Sequence, residues 1–140
     1  MLPESLLDQY HAALGALITG DPGEYKLLLS HGEEVTLANP FGPVARGWAE
    51  VERRLEGAAA NYSGGRVIEI ERVAKYETAE LAYLVEVERF EAKVGGRNEL
   101  SPVALRVTTI FRIERGAWKV IHRHADPITT ERPAESVLGV

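Results

Sequence analysis

Leu105-Arg-Val-Thr-Thr-Ile-Phe-Arg-Ile-Glu114, then Arg115-Gly116, then Ala117-Trp-Lys-Val-Ile-His-Arg-His-Ala-Asp126: two β-rich runs flank a short glycine-bearing turn. Runs of this composition around such a turn predict an antiparallel hairpin. The hairpin carries Trp118 and the close pair His122 and His124, so both fold and chemistry are read outward from it.

Upstream, Arg66–Glu77 and Ala82–Lys93 read as further strands, with turns at Glu77-Thr-Ala-Glu80 and Gly95-Gly96-Arg97-Asn98. Together with Leu100–Glu114 and Ala117–Asp126 they make a meander of four long strands. Strands beyond the usual five or six residues must bend, and bulges are the usual device. Pro127 ends the last strand, and the tail to Val140 is expected to lie as an arm over the surface or over a partner.

The first half is helical. Leu6, Leu7, Tyr10, Ala13, Leu14, Leu17 and Ile18 recur at spacings of three and four, predicting a helix over residues 4–19 with one buried stripe. Asp21-Pro22 opens a short second helix over about 22–30. Glu34–Ala38 reads as a short strand, and Asn39-Pro-Phe-Gly-Pro43 as a loop. A third helix runs from about Gly47 to Asn61, and Ser63-Gly64-Gly65 breaks the chain after it. Helices followed by an antiparallel meander define an α+β fold. The strands are apolar on both parities, as at Ala82-Tyr-Leu-Val85, and three helices cover one face only. A second copy of the chain is the simplest cover for the other.

At 140 residues the chain fits one domain, expected over 1–127 with a tail over 128–140. A net charge of −5 argues against nucleic acid as a partner, and the arginines are interleaved with glutamates, as in Glu50-Val-Glu-Arg-Arg-Leu-Glu56. The absence of cysteine removes disulfides, thiolate nucleophiles and thiolate metal sites. No leader-like stretch or bilayer-length apolar run is present, so a cytoplasmic protein without membrane contact is the expectation. No phosphate-binding loop or serine elbow is present, and no cofactor is expected.

His31-Gly-Glu-Glu-Val-Thr-Leu37, Phe41-Gly-Pro-Val-Ala-Arg-Gly-Trp48, Glu80-Leu-Ala-Tyr83, Arg106-Val-Thr108 and Gly116-Ala-Trp-Lys-Val-Ile-His-Arg-His124, in that order, resemble the SnoaL-like branch of the nuclear-transport-factor-2-like superfamily. The resemblance implies a cone-shaped α+β barrel, with three helices inside a strongly curved, mainly antiparallel sheet. It also implies a pocket at the open end and, commonly, a homodimer through the outer sheet face. Members include isomerases, cyclases, dehydratases and noncatalytic modules, so fold alone fixes no reaction.

Alternate residues of a strand share a face. The last strand offers Trp118, Val120, His122, His124 and Asp126 on one side, and Lys119, Ile121, Arg123 and Ala125 on the other. Its hairpin is similar to the association domain of calcium/calmodulin-dependent kinase, which implies that Arg123 points inward. Val107, Thr109 and Phe111 then point inward with Tyr83, Val85 and Val87, while Glu86, Glu88, Arg106, His122 and His124 face a partner. The opposite register brings His124 and Asp126 into the pocket as a base and its orienter, and SnoaL-type cyclases imply an acid–base carboxylate near Asp126. A bulge would let Asp126 reach the pocket in either register. Ligand candidates are Tyr10, Asn39, Trp48, Tyr62, Tyr83, Thr109 and Arg123. His122-x-His124 has metal-ligand spacing, but no second histidine motif completes a sphere, so no metal is expected.

Two functions follow. One is cofactor-free acid–base catalysis (isomerase, cyclase or dehydratase) on an apolar carbonyl or carboxylate compound. The other is a noncatalytic ligand-binding or dimerisation module. A carboxylate or imidazole lining the pocket separates them.

Overall fold

The computed structural model describes residues 1–139. The elements are α1 (Glu4–Leu17), α2 (Gly23–Leu28), β1 (Thr36–Ala38), β2 (Ala45–Arg46), α3 (Trp48–Ala60), β3 (Tyr62–Glu77), β4 (Leu81–Val94), β5 (Ser101–Glu114) and β6 (Ala117–Asp126), followed by a 3-10 turn at Ala134–Val137. The strands form one open sheet in the order β2-β1-β6-β5-β4-β3. Every pairing is antiparallel except β1 with β6. The sheet curves round the helices without closing, which gives the expected α+β cone.

Curvature comes from register shifts. β3 slips against β4 at three places, between Ser63 and Arg66, Val67 and Glu69, and Arg72 and Ala74. The glycines after α3 therefore do not break the chain; they lie inside a strand that starts at Tyr62. Gly64 takes φ 60° at the first slip, while the Gly65 N–H reaches the Ile18 carbonyl at 3.0 Å.

The deciding hairpin forms as read. Glu114 pairs with Ala117 across Arg115 (φ 51°) and Gly116 (φ 81°), the left-handed pair that suits a twisted two-residue loop. Arginine is a poor occupant of that conformation and asparagine a good one. Arg115→Asn is therefore expected to raise stability by about 0.5–1 kcal/mol, read from the urea midpoint.

A bulge at Ile121 changes the faces of the last strand. Ile110 pairs with His122 but Phe111 with Val120. Val120 therefore joins Arg123 and Ala125 among the buried residues, with Trp118 packed partly against the core. The strict alternation expected from the sequence is broken there, while His122, His124 and Asp126 stay outside. β4 departs further from expectation. Glu86 pairs with Val107 and Glu88 with Leu105, all buried, so the two glutamates face the helices. Tyr83, Val85 and Val87 face outward instead.

The core sits between the sheet and one stripe of α1: Leu7, Tyr10, Ala13, Leu14 and Leu17. Gly20 (φ 102°) caps α1 by donating to the Leu17 carbonyl, and Asp21 accepts the Gly23 N–H at the start of α2. β2, absent from the sequence reading, is a two-residue strand that pairs Ala45 with Leu37. Among the described residues no helix is long and apolar enough to cross a membrane.

Candidate functional site

Beneath the helices, β4, β5 and β6 bring Glu88, Thr109 and Arg123 together. Arg123 donates to Glu88 in a fork, Nη2 to Oε1 at 2.8 Å and Nη1 to Oε2 at 3.0 Å. Nη1 also donates to the Tyr10 hydroxyl, which is hydrogen-bonded to Thr109. The guanidinium lies 5.7 Å from the Tyr10 ring centre and 5.2 Å from that of Tyr25, within cation–π range. Burial is the largest single influence and lowers the Arg123 pKa, but the Glu88 carboxylate, Tyr10 and Tyr25 together outweigh it and hold the value well above normal. Burial pushes the Tyr10 hydroxyl up to about 12 against the opposing pull of Arg123. Tyr25, driven up by burial, keeps a buried hydroxyl with no hydrogen-bond partner among the described residues.

In front of Arg123 lies a cavity of about 30 Å³. Its walls are apolar, with Leu14, Leu37, Leu55, Phe90 and Leu105 among them. Tyr62, Asn39, Pro40 and Phe41 line it too, and Arg123 is the one charged residue among the described residues of the lining. Burial raises the Tyr62 hydroxyl to about 12. The volume holds one or two waters and is an order of magnitude below the ~300–1,000 Å³ of an open ligand pocket.

A second buried carboxylate lies two residues along β4. Glu86 accepts from His11 Nε2 at 2.9 Å and from Arg72 Nε at 3.0 Å. Burial alone would raise its pKa, but the His11 hydrogen bond and charge, with Arg72, bring it below the usual carboxylate value. On the outer face His122 is lowered by burial and by the charge of His124. Both groups therefore bind protons more weakly folded than unfolded, and both contributions are lost toward acid. The urea midpoint is expected to hold above pH 7, to decline as pH falls below about 6.5 through His122, and to fall again below about 4.5 through Glu86 together with Glu50, Glu77, Glu114 and Asp126, whose carboxyls are also held down by hydrogen bonds and neighbouring cations. His122→Gln should remove the upper step alone.

Of the sequence candidates, Asn39, Tyr62 and Arg123 line the cavity, and Tyr10 and Thr109 stand behind Arg123. Asn39 spends its side chain on the turn, accepting the Phe41 N–H and donating to the Arg54 carbonyl. Trp48 is elsewhere, stacked on His31 at 3.8 Å beside an open surface groove. Tyr83 is outside the cone, stacked on Tyr76. His124 and Asp126, 3.0 Å apart, also lie on the outer face, where Arg106 holds Asp126 at 2.7 Å. The register that would bring them into the pocket is not adopted.

The sequence reading put Glu86 and Glu88 on the partner face, took Tyr25 only as an inward residue of the second helix, and did not single out His11 or Phe41 for the site. One signal was available for the glutamates: Leu84, Phe90 and Ala92 share their parity and mark the buried face of β4.

A curved sheet wrapped round three helices, with a small apolar cavity backed by a buried ion pair, defines a cone-type α+β domain. Residues 4–129 match the SnoaL-like domain, and the chain belongs to that family. Its fold is similar to that of a nuclear-transport-factor-2-like superfamily protein of Salmonella enterica (17% identity, 94% of this chain and 92% of that one, TM-score 0.74). It is also similar to a candidate dehydratase of that family from Streptomyces avermitilis (22%, 92% and 100%, 0.70). A third is a candidate calcium/calmodulin-dependent kinase II association domain of Thiobacillus denitrificans (18%, 91% and 95%, 0.69). No curated protein matches the chain.

Proposed function

We propose that the chain is a noncatalytic binding domain acting as a homodimer, whose cone takes one small, neutral, largely apolar molecule bearing a carbonyl oxygen. One observation carries this reading. Among the described residues lining the cavity there is neither carboxylate nor imidazole, and the carboxylate behind it, Glu88, gives both oxygens to Arg123. Acid–base catalysis needs a proton acceptor within reach of the substrate. Here the acceptor is engaged and its charge cancelled. The same cancellation disfavours an anion, which would enter a cavity of no net charge and lose its hydration. Glu88 and Tyr10 take three of the N–H bonds that Arg123 makes. A guanidinium carries five such donors, so a carbonyl can still be received.

The outer face supports the homodimer. Tyr76, Leu81 and Tyr83 are exposed there, and ion pairs of both signs flank them, Arg89 with Glu69 and Glu71, and Arg106 with Asp126. A surface of mixed sign can meet its own copy across a two-fold axis.

Titration calorimetry with matched ketones and carboxylates of one skeleton tests the pocket. Ketones should bind at least about tenfold more tightly, given the penalty on a buried unpaired charge. Equal carboxylate binding, or deuterium exchange at the carbon beside the carbonyl in heavy water, refutes the reading. Sedimentation equilibrium tests the dimer, which Tyr83→Arg should dissociate.

A further inference from the structure

The cavity is too small for the ligand its chemistry suits, and the residue that closes it is identifiable. We propose that Phe41 is a plug over the mouth of the cone, latched shut by Arg54, and that ligand enters when the loop carrying it swings away. The identity of the entrant rests on the pocket reading above; the plug stands on its own geometry.

Phe41 sits at the tip of the loop between β1 and β2, 44% exposed. Its ring packs edge-to-face on Tyr62, centroids 5.5 Å apart, and Tyr62 packs likewise on Phe90 at 5.5 Å; of these three cavity-lining rings Phe41 is the one exposed to solvent. Phe41, Pro40 and Asn39 are the loop's share of the cavity wall. Removing the ring therefore opens the cavity to water without disturbing the Arg123 cluster.

The loop is tied down from α3. Arg54 Nη1 donates to the Pro43 carbonyl at 3.0 Å, and the Arg54 carbonyl accepts from Asn39 Nδ2 at 3.4 Å. Glu50, one turn earlier, aims the guanidinium through Nε at 3.0 Å. Pro40 and Pro43 fix their own φ, and the Gly42 N–H closes a turn on the Asn39 carbonyl at 3.5 Å, so the tip moves as a stiff unit. Gly42 lies against the latch: a Cβ there would stand 2.5 Å from Arg54 Nη1. A methyl group at residue 42 would push the guanidinium off Pro43 while leaving every cavity-lining side chain unchanged.

The experiment uses the full chain in three forms: wild type, Gly42→Ala and Arg54→Met. Fluorophenylalanine labelling places a reporter on each of the three phenylalanines, and fluorine relaxation dispersion reads exchange at Phe41. Stopped-flow fluorescence reads entry of the neutral ketone probe 6-propionyl-2-(dimethylamino)naphthalene. Both variants should raise the open population, shift the Phe41 signal, leave Phe111 unmoved, and speed probe entry by about tenfold, in proportion to the open fraction. An unshifted Phe41 signal in both variants refutes the latch, whether or not probe binds. If Phe41 responds as expected but no form takes the probe, the plug stands and the pocket reading falls.

Discussion

Glu88→Ala is expected to lower the stability of the fold by about 3–5 kcal/mol, because it leaves a guanidinium buried without its counter-charge. The Glu88 side chain is fully buried and that of Arg123 nearly so, and together they make two forked hydrogen bonds. Such a loss is a large share of the ~5–15 kcal/mol that holds a domain of this size. The double variant Glu88→Leu with Arg123→Met removes both charges and keeps the volume, so it should recover most of the loss. Chemical denaturation of the single and double variants reads both numbers. A single variant as stable as wild type would show that water reaches Arg123, and the closed interior described here would be wrong. Recovery in the double variant would also show that the pair is kept for what it receives, since apolar side chains would hold the fold as well.

Gly65→Ala should be nearly as damaging, by overpacking. A Cβ at residue 65 would stand 2.5 Å from both Cγ1 and the carbonyl oxygen of Ile18. Side-chain rotation cannot relieve a contact with the backbone. The strand cannot retreat either, because the Gly65 N–H is bonded to that same carbonyl. The expected cost is about 3 kcal/mol, the upper end for an extra methyl in a packed interior. The damage reaches the site, since this junction sets the end of α1, with Leu14 and Leu17, against Tyr62 on the cavity wall. Gly64→Ala is the control: nothing but Lys93 lies near its Cβ, and its cost is the backbone strain of φ 60°. If the two variants lose equal stability, the close approach of Ile18 is not what residue 65 provides.

The two glutamates of β4 show where sequence reading failed. In Leu84-Val-Glu-Val-Glu-Arg-Phe90 the β-branched residues lie on one parity and the glutamates on the other. Burial of apolar surface argues for Val85 and Val87 inside as it does for Leu84 and Phe90 on the glutamate parity, and on β4 the reading from the valines gives the wrong face. It is reversed because carboxylates can be buried when paired, and their partners come from elsewhere: Arg123 from β6, Arg72 from β3 and His11 from α1. No spacing within β4 announces partners that distant. The bulge at Ile121 had no local signal either, yet it decided which residues of β6 meet the helices.

The succession of helices and strands apart from β2, the tight turn at Arg115-Gly116 and the inward Arg123 could be read from the chain, because each rests on periodicity, turn chemistry or family likeness. Which glutamates went inside, where the strands slipped and how the mouth was closed were decided only when the sheet curved. Charge pairing, bulges and ring packing join residues far apart in the chain, and their energies exist only once those residues have met.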